Sequence, residues 1–249
     1  MAGHAITLAI ETSNPSAWDE SVPLRPGVAA LSGTGVGDSK VLGVEDIDPT
    51  RRHDDDLMPA IQRLADRVGF RPSDVTRLAV SAGPGGFTAV RMAMTVAKSI
   101  ADVTGAVCVP VPTAVSVAAA AVGMGRAGAS VSAPFAVALA SKDDSLFLAR
   151  FDASGQPAGP GRVVRTQEIS WSGIGVLVAD RFLPPGGFDS AVAAGVSIVR
   201  PVFDPVACAR ASWSFQSVDP ARAEVIYPRP PEAIRKWEQL HGRGDPPIA

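Results

Sequence analysis

The segment that most limits what this chain can fold into runs from Leu78 to Val103. Leu78 to Ala82 reads as a strand, Gly83-Pro84-Gly85-Gly86 as a loop, and Phe87 to Val103 as a helix. That helix carries two apolar stripes. Phe87, Val90, Met94, Ala97 and Ala101 form one; Met92, Ala93, Val96, Ile100 and Val103 form the other. Beyond the first turn, only Arg91, Thr95, Lys98, Ser99 and Asp102 are clearly polar. A helix apolar over most of its circumference must be covered on more than one side. Its own sheet can cover one side. The other needs a further element of the chain or a partner protein, and methionines suit an adaptable interface.

The glycine loop has two readings of its own. Glycines let backbone N–H groups approach an anion at a helix N-terminus, which carries partial positive charge. A tight strand-to-helix turn that needs positive φ uses the same residues. No Gly-Lys-Ser/Thr follows, so the loop is not of the Walker type. Glu11-Thr12-Ser13, closing the first strand, is equally open: a carboxylate and hydroxyls there could meet a metal-bound phosphate, or could serve a strand-end turn. A literal GxGxxG at Gly123 to Gly128 follows an alanine-rich helix rather than a strand; it reads as a flexible linker. Asp54, Asp55 and Asp56 read as a solvated helix start favoured by the dipole.

Around this core the chain alternates strands and helices. Ala5 to Ile10, Gly27 to Leu31 and Lys40 to Val44 read as an antiparallel meander with a proline-bearing loop after the first strand. Leu57, Ile61, Leu64 and Val68 repeat at helical spacing, and Gly69 stops that helix. Ala106 to Val109 reads as a strand and Thr113 to Val122 as a third helix. The second half starts alike: Phe135 to Ala140, Leu146 to Phe151, Gly161 to Arg165 and Gly175 to Ala179 as strands, Asp204 to Phe215 as a helix. Two similarly built halves follow as a pattern, without a visible residue-level repeat. The division expected is 1–111, 112–227 and a proline-rich tail 228–249 with one short helical stretch, Glu232 to Leu240.

Apolar residues make up 46% of the 249 and charged residues 19%, which supports a globular core rather than disorder. The formal net charge of −2 supplies no field to drive nucleic-acid binding alone, so any RNA contact is expected through a partner. Cys108 and Cys208 sit in apolar stretches and read as small buried hydrophobes of a reducing compartment. The first residues lack a basic n-region, and the apolar run Ala114 to Val122 is short of spanning length; a soluble, cytoplasmic protein is expected. His4, His53 and His241 are far apart in no HxxxH or HExxH spacing, which points away from metal catalysis.

Several segments resemble the TsaB (YeaZ-like) family. Leu8-Ala9-Ile10-Glu11-Thr12-Ser13 resembles its opening "LAIDTS", and Arg52-His53-Asp54-Asp55-Asp56-Leu57-Met58-Pro59-Ala60-Ile61 its "QHSELLLPAI" helix. Arg71-Pro72-Ser73-Asp74-Val75 is similar to its "xPxDL" step. Gly83-Pro84-Gly85-Gly86-Phe87-Thr88-Ala89-Val90-Arg91 closely resembles "GPGSFTGLR", its most specific motif, and Tyr227-Pro228-Arg229 falls where "YLR" is common. The likeness is close over residues 5 to 111 and thin beyond. Glu11 replaces the usual aspartate, Gly86 a serine and Ala89 a glycine. The loop from Asn14 to Pro26 is longer than usual, and Ala140 to Phe147 lacks the aspartate, arginines and tyrosine of the family's "DARRGEVY".

The resemblance implies an α/β fold of the ASKHA (actin-like ATPase, ribonuclease H-like) class. It implies a non-catalytic partner of the TsaD-type subunit that, with the TsaE-type ATPase, forms N6-threonylcarbamoyladenosine beside the tRNA anticodon. The metal-binding histidine pair would lie on the catalytic subunit. The implied docking surface is the first two helices, here His53, Leu57, Ile61, Leu64, Arg91, Met92, Met94 and Lys98. An exposed apolar helix pair would also permit self-dimerisation when the chain is alone. No catalytic or metal-binding residue and no required cofactor is expected. ATP or ADP with magnesium is the one companion left open, at Glu11, Thr12, Ser13, Gly83, Gly85, Gly86 and Thr88. The alternative function is a stand-alone ASKHA-type nucleotide-binding phosphotransferase or ATPase. A peptidase, suggested by the wider superfamily's glycoprotease label, finds no nucleophile–base pair or zinc site in the sequence.

Overall fold

The structure, a computed structural model, describes residues 5–18, 21–22, 24–47, 53–140 and 143–229, with positions 237, 240 and 242 beyond them. Its elements run β1 (Ile6–Glu11), β2 (Gly27–Ser32), β3 (Lys40–Asp46), α1 (His53–Val68), β4 (Val75–Ser81), α2 (Phe87–Thr104), β5 (Val107–Val111) and α3 (Thr113–Ala121). The second half continues with β6 (Phe135–Ala140), β7 (Ser145–Phe151), β8 (Arg162–Arg165), β9 (Val176–Ala179), α4 (Pro185–Ala193), β10 (Ser197–Val199) and α5 (Pro205–Ser212).

Each half holds one five-stranded sheet, in the orders β3-β2-β1-β4-β5 and β8-β7-β6-β9-β10. In both, the first three strands pair antiparallel and the last two join in parallel on the other side of the first strand. The two sheets are therefore topological copies, as expected for the ASKHA class. The copies differ in their crossovers, since no α-helix stands between β8 and β9 where α1 stands between β3 and β4.

Period-2 alternation assigns the strand residues to opposite faces. Leu8, Ile10, Val28, Ala30, Leu78 and Val80 face one core with Leu57, Ile61 and Leu64 of α1 and Ala93, Met94 and Ala97 of α2. Ala9, Ala29, Leu31, Ala79, Val109 and Val111 face another with Ala119 and Ala120 of α3 and Val206 to Ala209 of α5. On the second sheet, Val137 and Leu139 meet Ala114, Val117 and Ala118 of α3. The opposite face, with Ala136, Ala138 and Leu146, packs with Ala191 of α4. The result is a layered order of helices α1 and α2, sheet, helices α3 and α5, sheet, helix α4. The middle layer serves both sheets at once, which explains the alanine-rich α3: small side chains let a helix buried on all sides sit between two sheets.

Three sequence expectations change here. The helix expected over Asp204–Phe215 ends at Ser212. Helix α4 and strand β10 were not expected; Pro185 stands at the first helical position of α4, where its missing N–H costs nothing. The segment Gly123 to Gly128 is no flexible linker. The Asp204 carboxylate, capping α5 through Val206 N at 3.0 Å, also accepts from Arg126 Nε at 3.0 Å and from the Arg126 backbone N–H. A Cβ on Gly125 would collide with that carboxylate. Arg126 goes on to Asp46 of β3 at 2.8 Å and to the Arg25 carbonyl at 2.9 Å, tying the two halves together. The expected tail helix from Glu232 to Leu240 lies outside the described residues, apart from helical positions at Trp237 and Leu240.

Duplication also leaves a residue-level trace that the sequence alone did not reveal. Pro84-Gly85-Gly86-Phe87 leads from β4 into α2, and Pro185-Gly186-Gly187-Phe188 opens α4 after β9. Since β4 and β9 hold equivalent places in the two sheets, the same four residues recur at equivalent crossovers.

Candidate functional site

Two places collect the residues singled out by sequence: the end of β1 with the glycine loop, and the outer surface of α1 and α2.

The glycine loop is folded onto β1. Gly86 N donates to the Ser13 carbonyl at 2.7 Å. Gly83, at φ +102°, donates its N–H to Thr113 Oγ1 at 3.1 Å, and its carbonyl accepts from Thr113 N at 2.8 Å. A Cβ on Gly85 would collide with the Ser13 carbonyl oxygen and stand 3.0 Å from a Val90 methyl, whereas one on Gly86 would meet nothing closer than 3.5 Å. These glycines thus serve positive φ and close backbone approach, and the N–H groups of Gly83 and Gly86 already have acceptors within the protein. Thr88 is exposed one residue into α2.

Glu11, Thr12 and Ser13 are all buried. Glu11 lies on the β1 face that carries Thr7 and Ala9, under the α3–α5 layer. One of its oxygens, Oε1, accepts from Ser13 Oγ at 2.7 Å and Ser13 N at 3.1 Å. The other, Oε2, has no hydrogen-bond partner, and neither has the nearby Ser116 Oγ of α3. Burial pushes the Glu11 carboxyl above the ordinary carboxylate range, against the opposing pull of the Ser116, Ser13 and Ser81 groups. Ser81 Oγ and Thr113 Oγ1, 2.8 Å apart, complete a buried polar cluster at the junction of the halves. The neighbouring Cys208 thiol is itself pushed well up by burial. Among the described residues, no three His, Cys, Asp or Glu side chains converge as a metal site would require.

On the helical surface the structure divides the expected interface residues. Leu57, Ile61, Leu64 and Met94 (4% exposed), expected at the docking surface, lie in the N-terminal core and are turned to the sheet. The Lys98 ammonium is held by the carbonyls of Ala221 and Ala223, each at 3.2 Å. Met92 is half-buried. Of His53, only its place in α1 is described.

Phe87, placed by periodicity in the apolar stripe with Val90 and Met94, is 59% exposed. Arg91 lies over its ring at 3.8 Å and donates Nε–H to the Tyr227 hydroxyl. The chain from Val218 to Tyr227 thus forms a strap along one flank of α2, fastened through Val218 N to Cys108 O (2.8 Å) and Ile226 N to Ala82 O (2.7 Å). This strap covers part of the apolar circumference for which sequence reasoning required a cover.

The other flank is open. Met58 of α1, Pro72, and Val96, Ile100 and Val103 of α2 line a groove of about 460 Å³ with Thr95, Ser99 and Thr104. Met58 is 54% and Val103 84% exposed. Three of these residues belong to the second apolar stripe; Met58 and Pro72 carried no periodic signal. Among the described residues, no helix is long and apolar enough to cross a membrane.

Comparison with known proteins matches this architecture. A crystal structure from Pseudomonas aeruginosa of an uncharacterised protein with similarity to peptidase YeaZ aligns over 90% of this chain and all of that one, with 19% identity and a TM-score of 0.68. The YeaZ structure from the same organism aligns over 90% of this chain and 99% of its own, with 18% identity and a TM-score of 0.65. At such identity the likeness is one of fold. No curated protein matches the sequence. Residues 43–170, 128 of the 249, match the family described as TsaD, tRNA N6-adenosine threonylcarbamoyltransferase. That match takes in α1, the glycine loop, α2 and the first three strands of the second sheet, and with the fold it shows that the chain belongs to the TsaD family as a YeaZ-like (TsaB-type) member.

Proposed function

We propose that this chain is the non-catalytic partner of a TsaD-type threonylcarbamoyltransferase, acting in the formation of N6-threonylcarbamoyladenosine in tRNA. The observation that carries the proposal is the open groove between α1 and α2. A helix pair that has satisfied its own sheet, and whose other flank is strapped by its own chain, still leaves Met58 and Val103 exposed and Val96 and Ile100 half-buried along an open groove. Contiguous apolar surface of this kind marks protein–protein contact. Two helices presenting one groove can receive helices of a partner by ridge-and-groove packing. The TsaE-type ATPase and tRNA then join through the complex, in keeping with the net charge of −2.

The nucleotide-handling alternative draws no support from the positions of its candidate residues. Glu11 is buried beneath α3 and α5, and the N–H groups of Gly83 and Gly86 are engaged internally.

Affinity capture with the cognate TsaD-type subunit tests the reading. Wild type forms a complex at micromolar concentration, and Ile100→Asp, placing a charge in the groove, abolishes it while the circular dichroism of the free chain is unchanged. Absence of a wild-type complex would remove the proposal.

A further inference from the structure

The second sheet lacks a cover that the first one has. In the first half, α1 lies across the outer face of β2 and β3. Strands β7 and β8 hold the equivalent places in the second half, but the chain passes from β8 to β9 through positions 166–175 without an α-helix. On this face of β7 and β8 there is instead a cavity of about 490 Å³. From the sheet, the buried side chains of Leu148 and Val164 line it; from the connection to β9, Ile169 and Ser170 do so. Positions 158–160, between β7 and β8, complete the lining.

Two guanidinium groups line the same cavity, Arg150 and Arg162. Strand alternation puts Leu146, Leu148 and Arg150 on one face of β7. The register, Leu146 with Val164 and Leu148 with Arg162, puts Val164 and Arg162 on that face of β8. The arginines are therefore diagonal neighbours, a spacing that long side chains bridge. Arg150 is half-buried and is held by donating from a terminal nitrogen to the Ser170 carbonyl. Arg162 is exposed, and neither arginine forms an ion pair among the described residues. The acid in the lining, Glu168, caps the turn Thr166–Glu168 by accepting from Arg165 N at 3.2 Å. Charges that merely guard an edge strand against pairing need neither a concavity nor a fixed partner chain segment. Two like charges in one concavity repel until an anion lies between them.

The lining selects the anion. Arg150 and Arg162 set against Glu168 leave one positive charge, which a monoanion balances. Leu148, Val164 and Ile169 offer apolar surface for a short hydrocarbon body. The volume lies in the range of small-molecule sites, which are mostly apolar with a few placed polar groups. Nucleic-acid backbones are instead held by several cations together. We propose that this cavity binds a small organic carboxylate, with its oxygens on Arg150 and Arg162 and its hydrocarbon body against Leu148, Val164 and Ile169. The site lies on the second sheet, away from the α1–α2 groove, and does not rest on the partner reading above.

Titration of the isotope-labelled full-length chain with isocaproate, followed through its backbone amide resonances, tests this. Isocaproamide serves as the neutral isostere and phenyl phosphate as the dianion. Isocaproate is expected to bind with a Kd on the order of 1 mM and to move the amides of positions 158–170 most. The amide should bind about tenfold more weakly or not at all. Arg162→Gln and Arg150→Gln should each weaken isocaproate by about tenfold. Thermal melts accompany both; Arg162 is exposed and its variant should melt as wild type does, so it decides the matter if Arg150→Gln is destabilised. No saturable shift by about 50 mM, shifts centred elsewhere, equal binding of the amide, or Arg162→Gln within about twofold of wild type would each refute the site. Phenyl phosphate binding more tightly than isocaproate, and losing that advantage in Arg162→Gln, would overturn the carboxylate assignment in favour of a phosphate ester.

Discussion

Replacing Glu11 by glutamine is expected to stabilise this protein above neutral pH and to change little in acid. The side chain is wholly buried, one carboxyl oxygen accepts two bonds from Ser13, and the other faces the unpartnered Ser116 hydroxyl without completing a bond. Burial raises the folded-state pKa above the usual 4.5. A group raised in this way binds its proton more tightly in the folded state. Its contribution is complete below the unfolded pKa and is lost as pH climbs through the folded one. Glutamine is the isosteric neutral form. It keeps an oxygen for Ser13 and places an amide donor where Oε2 stands, beside Ser116. A buried polar atom without a partner costs about 1–3 kcal/mol, so Glu11→Gln should gain about that much near pH 8 and within roughly half a kcal/mol of nothing near pH 4. For a chain of this size each kcal/mol moves the melting midpoint by about 2–4 °C. Urea titrations of both proteins at the two pH values, followed by circular dichroism, measure the difference. A glutamine variant less stable than wild type near pH 8, or an offset that is the same at both pH values, would refute the reasoning.

Met94→Asp should unfold the isolated chain, because it places a charge in the core between α2 and the sheet; loss of the far-ultraviolet circular dichroism signal or a melt below working temperature checks this, and a folded variant would show that Met94 can reach solvent. Gly85→Ala should cost upwards of about 2 kcal/mol through its collision with the Ser13 carbonyl, whereas Gly86→Ser should be neutral to about 0.5 kcal/mol; paired urea midpoints separate them. Asp204→Asn should destabilise by about 1–3 kcal/mol, since it weakens the charge-assisted bonds from Arg126 at the junction of the halves while Asp46 remains as the charged partner, measured in the same way.

The sheets and the main helices were legible in sequence because each carries its own period. Ile6, Leu8 and Ile10 alternate with Thr7 and Ala9, and Val90, Met94, Ala97 and Ala101 recur at helical spacing, so position along the chain encodes direction. Periodicity failed where an element end or a long-range contact decides. Phe87 belongs to the right stripe but stands in the first turn of α2, beyond the sheet, and stacks on Arg91 instead. Met94 and Val96 are both apolar residues of one helix; only the placement of α1 beside α2 makes the first core and the second groove. The strap from Val218 to Tyr227 shows no period and attaches chiefly through backbone groups, which the side-chain sequence does not record. The glycine loop was read with its two meanings open. The structure accounts for Gly83 by its positive φ and for Gly85 by its approach to Ser13, a contact between residues more than seventy positions apart in sequence.

The long loop after β1 places Ala17 in the core of the second half, among Val117, Phe135 and Phe203, while Ser16 accepts through its carbonyl from Arg181 at 3.1 Å. In return the second half sends α5 onto the first sheet. Each lobe thus grips the other with a part of itself. Parting the two lobes would require both grips to let go together, so they should melt in one cooperative step. A protease cut between β1 and β2 should loosen the far lobe as much as the near one. Such a body is mechanically suited to hold its outer helices in one fixed geometry.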